Sequence, residues 1–123
     1  MMKIYLAGGM RSAWRETVKK NLSDVHFIDP CDHGFSAPAF YSAWDNVGVE
    51  QADVVLAYLE ADNPSGIGMA YEIGKAVGMG KPVVLVDEKD DKYTQILRES
   101  AALVCPHLSG AVYFLKLLKL AYP

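Results

Sequence analysis

Short runs of consecutive apolar residues alternate along this chain with longer stretches whose apolar positions recur every three or four residues. The first pattern predicts strands covered on both faces, and the second predicts helices lying on them. Residues 3–7 read as an apolar strand closed by Gly8 and Gly9. Residues 11–22 read as a helix, with Ser12 as candidate N-cap and Ala13, Trp14, Val18 and Leu22 on one side. A short strand at 25–28 stops at Asp29 and Pro30, and residues 29–40 read as loop around Pro30, Gly34 and Pro38. The pattern then predicts a helix at 40–51 despite Gly48, a Val- and Leu-rich strand at 53–59 and a turn at 62–66. A helix at 67–79 follows, with Gly80 as its C-cap and Pro82 beyond. Residues 82–86 and 101–104 are further strands, 87–91 a solvated loop, 94–99 a short helix and 109–121 the last helix.

This alternation predicts an α/β fold, a flavodoxin-like or Rossmann-like three-layer sandwich around a five-stranded, mainly parallel sheet. A single domain over residues 1–123 is expected. Ligands in such folds lie beyond the carboxyl ends of the strands. That edge comprises residues 8–15, 29–41, 60–72 and 87–93, and functional residues are expected there.

Composition narrows the classes. The net charge of −3 disfavours a duplex nucleic-acid partner, which needs a basic face. No apolar run approaches the length of a membrane span, and the apolar start is too short for a signal segment. Cys31 and Cys105 form no paired motif, so free thiols and a cytoplasmic location are expected. His26, His33 and His107 show no zinc spacing, and neither a metal nor an organic cofactor is expected. A hydrophobic fraction of 51% is high for 123 residues and predicts more apolar surface than one small domain hides.

At the ligand edge, the turns at Gly8-Gly9-Met10-Arg11 and Ser65-Gly66-Ile67-Gly68 offer backbone N–H groups to an anion, or are simply tight turns. Neither fits a dinucleotide fingerprint or a GxxxxGK[ST] loop. Glu72 lies near the start of a helix, where the helix dipole favours a carboxylate able to act as a nucleophile or merely to stabilise the turn. Asp45 sits mid-helix, either on a solvated face or facing the cleft of Glu72 as the second carboxylate of a glycosidic site. Asp53 is read as structural. Tyr5 is core filler or an orienting hydrogen-bond donor.

The segments 3–8 (Lys-Ile-Tyr-Leu-Ala-Gly), Asp45, 52–57 (Ala-Asp-Val-Val-Leu-Ala), 68–76 (Gly-Met-Ala-Tyr-Glu-Ile-Gly-Lys-Ala) and 80–84 (Gly-Lys-Pro-Val-Val) resemble the nucleoside 2-deoxyribosyltransferase family over about residues 3–104. The resemblance implies that Glu72 attacks the anomeric carbon, Tyr5 tunes Glu72, and Asp45 binds the substrate or protonates the leaving base. The family includes transferases and hydrolases of nucleoside 5′-monophosphates. Arg11, Ser65 and Ser100 match the hydrolase branch, with Gly8, Gly66 and Gly68 completing the substrate and phosphate loops. Arg15 either adds charge to the phosphate site or is a solvated helix residue. The resemblance also implies that a neighbouring subunit brings its Ser100 region to the site, so a homodimer or larger assembly is expected. The apolar excess of the last helix, with only Lys116 and Lys119 charged between 111 and 122, points to association as well. Two other readings are a phosphoribohydrolase of the cytokinin-activating type, against which Met69 stands where Thr is expected, and a non-catalytic nucleotide-binding module.

Overall fold

A computed structural model describes residues 1–64 and 66–123. Five strands form one sheet: β1 (Lys3–Gly8), β2 (His26–Ile28), β3 (Val54–Leu59), β4 (Val83–Asp87) and β5 (Leu103–Cys105). Their spatial order is β2-β1-β3-β4-β5, and every adjacent pair is parallel. This is the expected flavodoxin-like order. The chain reverses its direction of winding at β1, which opens a crevice between β1 and β3 at their carboxyl ends.

Helices α1 (Trp14–Asn21) and α5 (Leu108–Leu118) cover one face, and α2 (Pro38–Gln51), α3 (Ile67–Gly78) and α4 (Gln95–Ser100) the other. The period-two pleat assigns the strand residues to these two cores. Ile4 and Leu6 join Val54, Leu56, Val84 and Val86 beneath α1 and α5. Tyr5 and Ala7 join Val55, Ala57, Val83 and Leu85 beneath the other layer, where Val49, Ile73 and Ala76 pack from α2 and α3. Because β1 and β3 are buried on both faces, they read as continuous apolar runs rather than alternating ones.

Several boundaries differ from the sequence reading. The first helix begins at Trp14, and its N-cap is Ala13 with no side-chain cap, so Ser12 does not serve that role. Residues 11–13 instead belong to the loop leaving β1. The second helix starts two residues earlier than expected, at Pro38, whose missing N–H costs nothing in a first turn. A short 3-10 turn at Pro30–Asp32 lies within the segment read as loop, and another at Lys92–Thr94 bridges the expected loop and the expected short helix. Asp53 is structural as expected: its carboxylate accepts the Lys3 backbone N–H at 2.7 Å, away from the ligand edge.

Candidate active site

Tyr5 lies in the middle of β1 and is fully buried, with its ring under α2 and α3. A buried phenol needs a partner for its hydroxyl. It donates to Glu72 Oε2 from α3, joining residues 67 positions apart in the chain. Burial, the Glu72 charge and this hydrogen bond push the Tyr5 hydroxyl far above the usual phenol range, so it stays a donor. Burial is also the largest influence on Glu72 and pushes its carboxyl up to about 7. The Tyr5 hydrogen bond and the Arg15 charge oppose that rise, while the Asp45 charge adds to it.

The helix-dipole expectation for Glu72 is therefore corrected. Glu72 is the sixth residue of α3, in its second turn, and the dipole effect fades within the first. Desolvation prevails.

Asp45 faces inward from α2. Its Oδ1 is buried and has no hydrogen bond, although His33 Nε2 stands 3.5 Å away. Burial raises the Asp45 carboxyl, and the neighbouring His33 and the Arg15 charge partly offset that. His33 comes from the loop after β2 and is held on three sides. Its Nδ1 accepts the Phe35 backbone N–H at 2.9 Å, its ring stacks on Phe35, and Trp44 meets it edge-on. With Nδ1 an acceptor, the proton of neutral His33 resides on Nε2, facing Asp45. The walls of the cleft are pinned behind the site. The Tyr71 hydroxyl donates to Asn46 Oδ1 at 2.9 Å, and Lys75 reaches Asn46 and Glu50 at 3.1 and 3.2 Å.

A buried carboxyl with a phenol donor, and a second carboxyl beside it that burial shifts toward the protonated form, has the makings of a nucleophile and a general acid. A family model described as "Nucleoside 2-deoxyribosyltransferase like" matches residues 1–89. The chain belongs to that family. This nucleoside 2-deoxyribosyltransferase-like protein is therefore one of the enzymes that cleave or transfer N-glycosidic bonds. Its structure is similar to the 2-deoxyribosyltransferase of Bacillus psychrosaccharolyticus, with a TM-score of 0.73 and 21% identity over 89% of this chain and 90% of that one. The 2-desoxiribosyltransferase of Leishmania mexicana aligns with a TM-score of 0.65 and 20% identity over 78% and 71% of the two chains. The CMP N-glycosidase BcmB of Clostridium botulinum aligns with a TM-score of 0.58 and 20% identity over 94% and 98%. No curated protein matches the chain.

The remaining candidate residues of this deoxyribosyltransferase-like chain fall at several places. Gly8 ends β1 with φ +153°, and a Cβ there would stand 2.7 Å from the Tyr58 carbonyl oxygen. Only glycine fits. Gly66 caps α3 in a left-handed conformation, φ +68°, which aims the helix start at the crevice. Gly68 is exposed in the first turn with open space around it. Arg11 is exposed and lines a cavity of about 220 Å³ with Gly9, Glu60 and Asp62 among its walls. Ser65 lies outside the described residues. Ser100 is exposed at the end of α4, with its hydroxyl donating to Ile96 O at 2.8 Å. The next residues lead into β5, and Ala102 N bonds to Val83 O at the start of β4. Ser100 is thus at the opposite sheet edge from Gly8 and Gly66, and the fold does not bring it to its own chain's Glu72.

Arg15 corrects both earlier readings. It is 3% exposed and donates to the carbonyls of Gly9, Leu6 and Gly8 at 2.7, 3.1 and 3.1 Å. Its Nε is 3.2 Å from the buried Asp29. It is neither solvated nor turned toward a ligand: it ties α1 to the loop leaving β1. The parts played by His33 and Asp29 are not visible in the sequence, because only the fold brings the loop after β2 to Asp45 and sets Asp29, which reads as a strand stop, against Arg15. Among the described residues no group of acidic, His and Cys side chains could hold a metal, and no helix is long and apolar enough to cross a membrane.

Proposed function

We propose that the protein cleaves the N-glycosidic bond of (deoxy)nucleoside 5′-monophosphates through a covalent glycosyl-Glu72 intermediate, with water as acceptor. The observation that carries this reading is the buried Tyr5–Glu72 pair with Asp45 acting on both. A Glu72 oxygen attacks C1′ as the C1′–N bond breaks, its electrons pass to the base, and Asp45 supplies the proton the leaving base takes. Water then attacks C1′, Glu72 departs as carboxylate, and the proton of the water returns to Asp45. The transition state is cation-like at the sugar, so the Glu72 carboxylate oxygen that Tyr5 leaves free stabilises it. Tyr5 fixes which Glu72 oxygen is occupied and which is left for the sugar.

The phosphate is read by Arg11, whose guanidinium has no partner among the described residues, together with the N–H groups around Gly8, Gly66 and Gly68 and the hydroxyl of Ser65. Similarity to a protein described as a CMP N-glycosidase supports this choice. One observation favours a second reading, base exchange on unphosphorylated deoxynucleosides. The Arg11 cavity also holds Glu60 and Asp62, whose carboxylates oppose a phosphate. Arg11→Ala separates the two. Hydrolysis of monophosphates predicts a KM raised about tenfold or more for a monophosphate and little changed for the nucleoside. An equal response of both substrates removes the phosphate assignment. A panel of nucleosides and monophosphates, with and without acceptor base, then distinguishes hydrolysis from transfer by chromatography.

The active unit is an assembly of at least two copies. Ile67 and Tyr71 on α3 and Tyr93 and Ile96 beside them are exposed large side chains on the layer that carries Glu72. Ser100 ends α4 in that same layer, which suits delivery of its hydroxyl to a neighbour's cleft.

A further inference from the structure

We propose that Gly48 is a positioning residue of the glycosyl-bond site: its missing side chain is what lets the Tyr5 ring lie against α2 with its hydroxyl on Glu72. This rests on the reading of Tyr5 and Glu72 as the reactive pair. Gly48 is buried in the third turn of α2, where glycine is destabilising relative to alanine. Its φ is not positive, so backbone conformation does not demand glycine. Space does. A methyl carbon on Gly48 would stand 2.9 Å from Tyr5 Cε2, 3.1 Å from Tyr5 Cδ2 and 3.0 Å from Ile28 Cγ2.

The other helical glycines are different. Gly68, Gly74 and Gly78 in α3 have open space where a Cβ would go, and Gly110 in α5 meets only Cys105 at 3.9 Å. Ile28, the cross-strand neighbour of Tyr5 on β2, meets the same methyl from the other side, so the added carbon presses on the ring edge beside the hydroxyl. A tyrosine ring is rigid, and a push at Cε2 moves Oη by a comparable distance. The hydrogen bond that restrains the Glu72 carboxyl would then lengthen or break.

The groups facing Glu72 are Tyr5 from β1, Asp45 from α2 and Arg15 from α1, with His33 acting through Asp45. Of these groups, only Tyr5 is among the atoms nearest a methyl at Gly48. The direct test is carbon-13 NMR titration of the Glu72 carboxyl in the substrate-free protein, comparing wild type, Gly48→Ala, Tyr5→Phe and the double variant. Gly48→Ala should raise the Glu72 midpoint by about one pH unit, as Tyr5→Phe does, because both remove a hydrogen bond to the charged form. The double variant should titrate no higher than either single one. Kinetically, Gly48→Ala should lower kcat about tenfold or more with KM changed by less than about threefold. A folded Gly48→Ala protein with the wild-type midpoint overturns the proposal, as does a double variant whose shift is the sum of the two.

If Gly48→Ala does not fold, Gly48→Ala combined with Tyr5→Leu decides. Recovery of the fold supports the ring contact, and failure to recover overturns it. If wild type releases no base from any nucleoside or nucleotide, the proposed function falls, while the titration still decides whether Gly48 holds Tyr5 on Glu72.

Discussion

Glu72 has to satisfy two opposed conditions. It must be a carboxylate to attack carbon, yet burial favours the protonated form and pushes its carboxyl up to about 7. The consequence for activity has a definite sign: kcat/KM should rise with pH through about 7 as Glu72 loses its proton. A rate that is flat from pH 6 to 8 would contradict it. The consequence for stability is opposite. A group whose carboxyl is raised on folding contributes stability below its ordinary pKa and loses it as pH climbs through the folded value. At pH 8 the ionised Glu72 therefore costs the fold about 3 kcal/mol. Glu72→Gln should melt higher than wild type at pH 8, with the difference shrinking toward pH 5, while turnover falls by about a thousandfold or more. The sequence carried half of this. Tyr5 and Glu72 could be paired only through the family resemblance, because nothing local joins residues 67 apart. Neither dipole nor spacing reveals desolvation, which depends on what the fold stacks above the carboxyl.

Among the elements, α1 and the loop before it work as one piece because Arg15 ties them together. Its donors reach the carbonyls of Leu6, Gly8 and Gly9 at the end of β1, and Asp29 neutralises its charge from the end of β2. Removing one partner of a buried charged network strands the others. Arg15→Met should cost about 3 kcal/mol, read as a drop of about ten degrees in melting temperature, and should loosen the Gly8–Arg11 loop. A melting temperature within two or so degrees of wild type would show that the network is dispensable. The strands were legible because burial on both faces leaves an uninterrupted apolar run, and their order followed from fold class. Asp45 was not legible: α2 carries Phe40, Tyr41 and Val47 on exposed positions as well as Val49 in the core, so no polar face betrays which way Asp45 points. Helix starts were displaced where no side chain caps the helix, as at Ala13.

At the scale of the whole molecule, two surfaces besides that of α2 carry exposed apolar side chains. The last helix leaves Tyr113 and Leu117 exposed, with Leu120 just beyond it, and the layer of α3 and α4 exposes Ile67, Tyr71, Tyr93 and Ile96. The sequence pointed to the first surface because its helix has few charges. It could not point to the second, whose apolar residues come from separate segments gathered by the fold. Sedimentation at assay concentration should find at least a dimer, and mixing Glu72→Gln with Ser100→Ala should restore part of the activity each lacks. A fully active monomer would contradict the shared site. The central claim is that Glu72 itself carries the sugar between bond cleavage and release. Acid-quenching the enzyme during turnover of a deoxynucleoside 5′-monophosphate and weighing the intact protein tests it most directly. The account predicts an added mass equal to the glycosyl group, mapped to the peptide bearing Glu72 and absent from Glu72→Gln. Base released at an undiminished rate by Glu72→Gln, with no adduct on the wild-type protein, would contradict it.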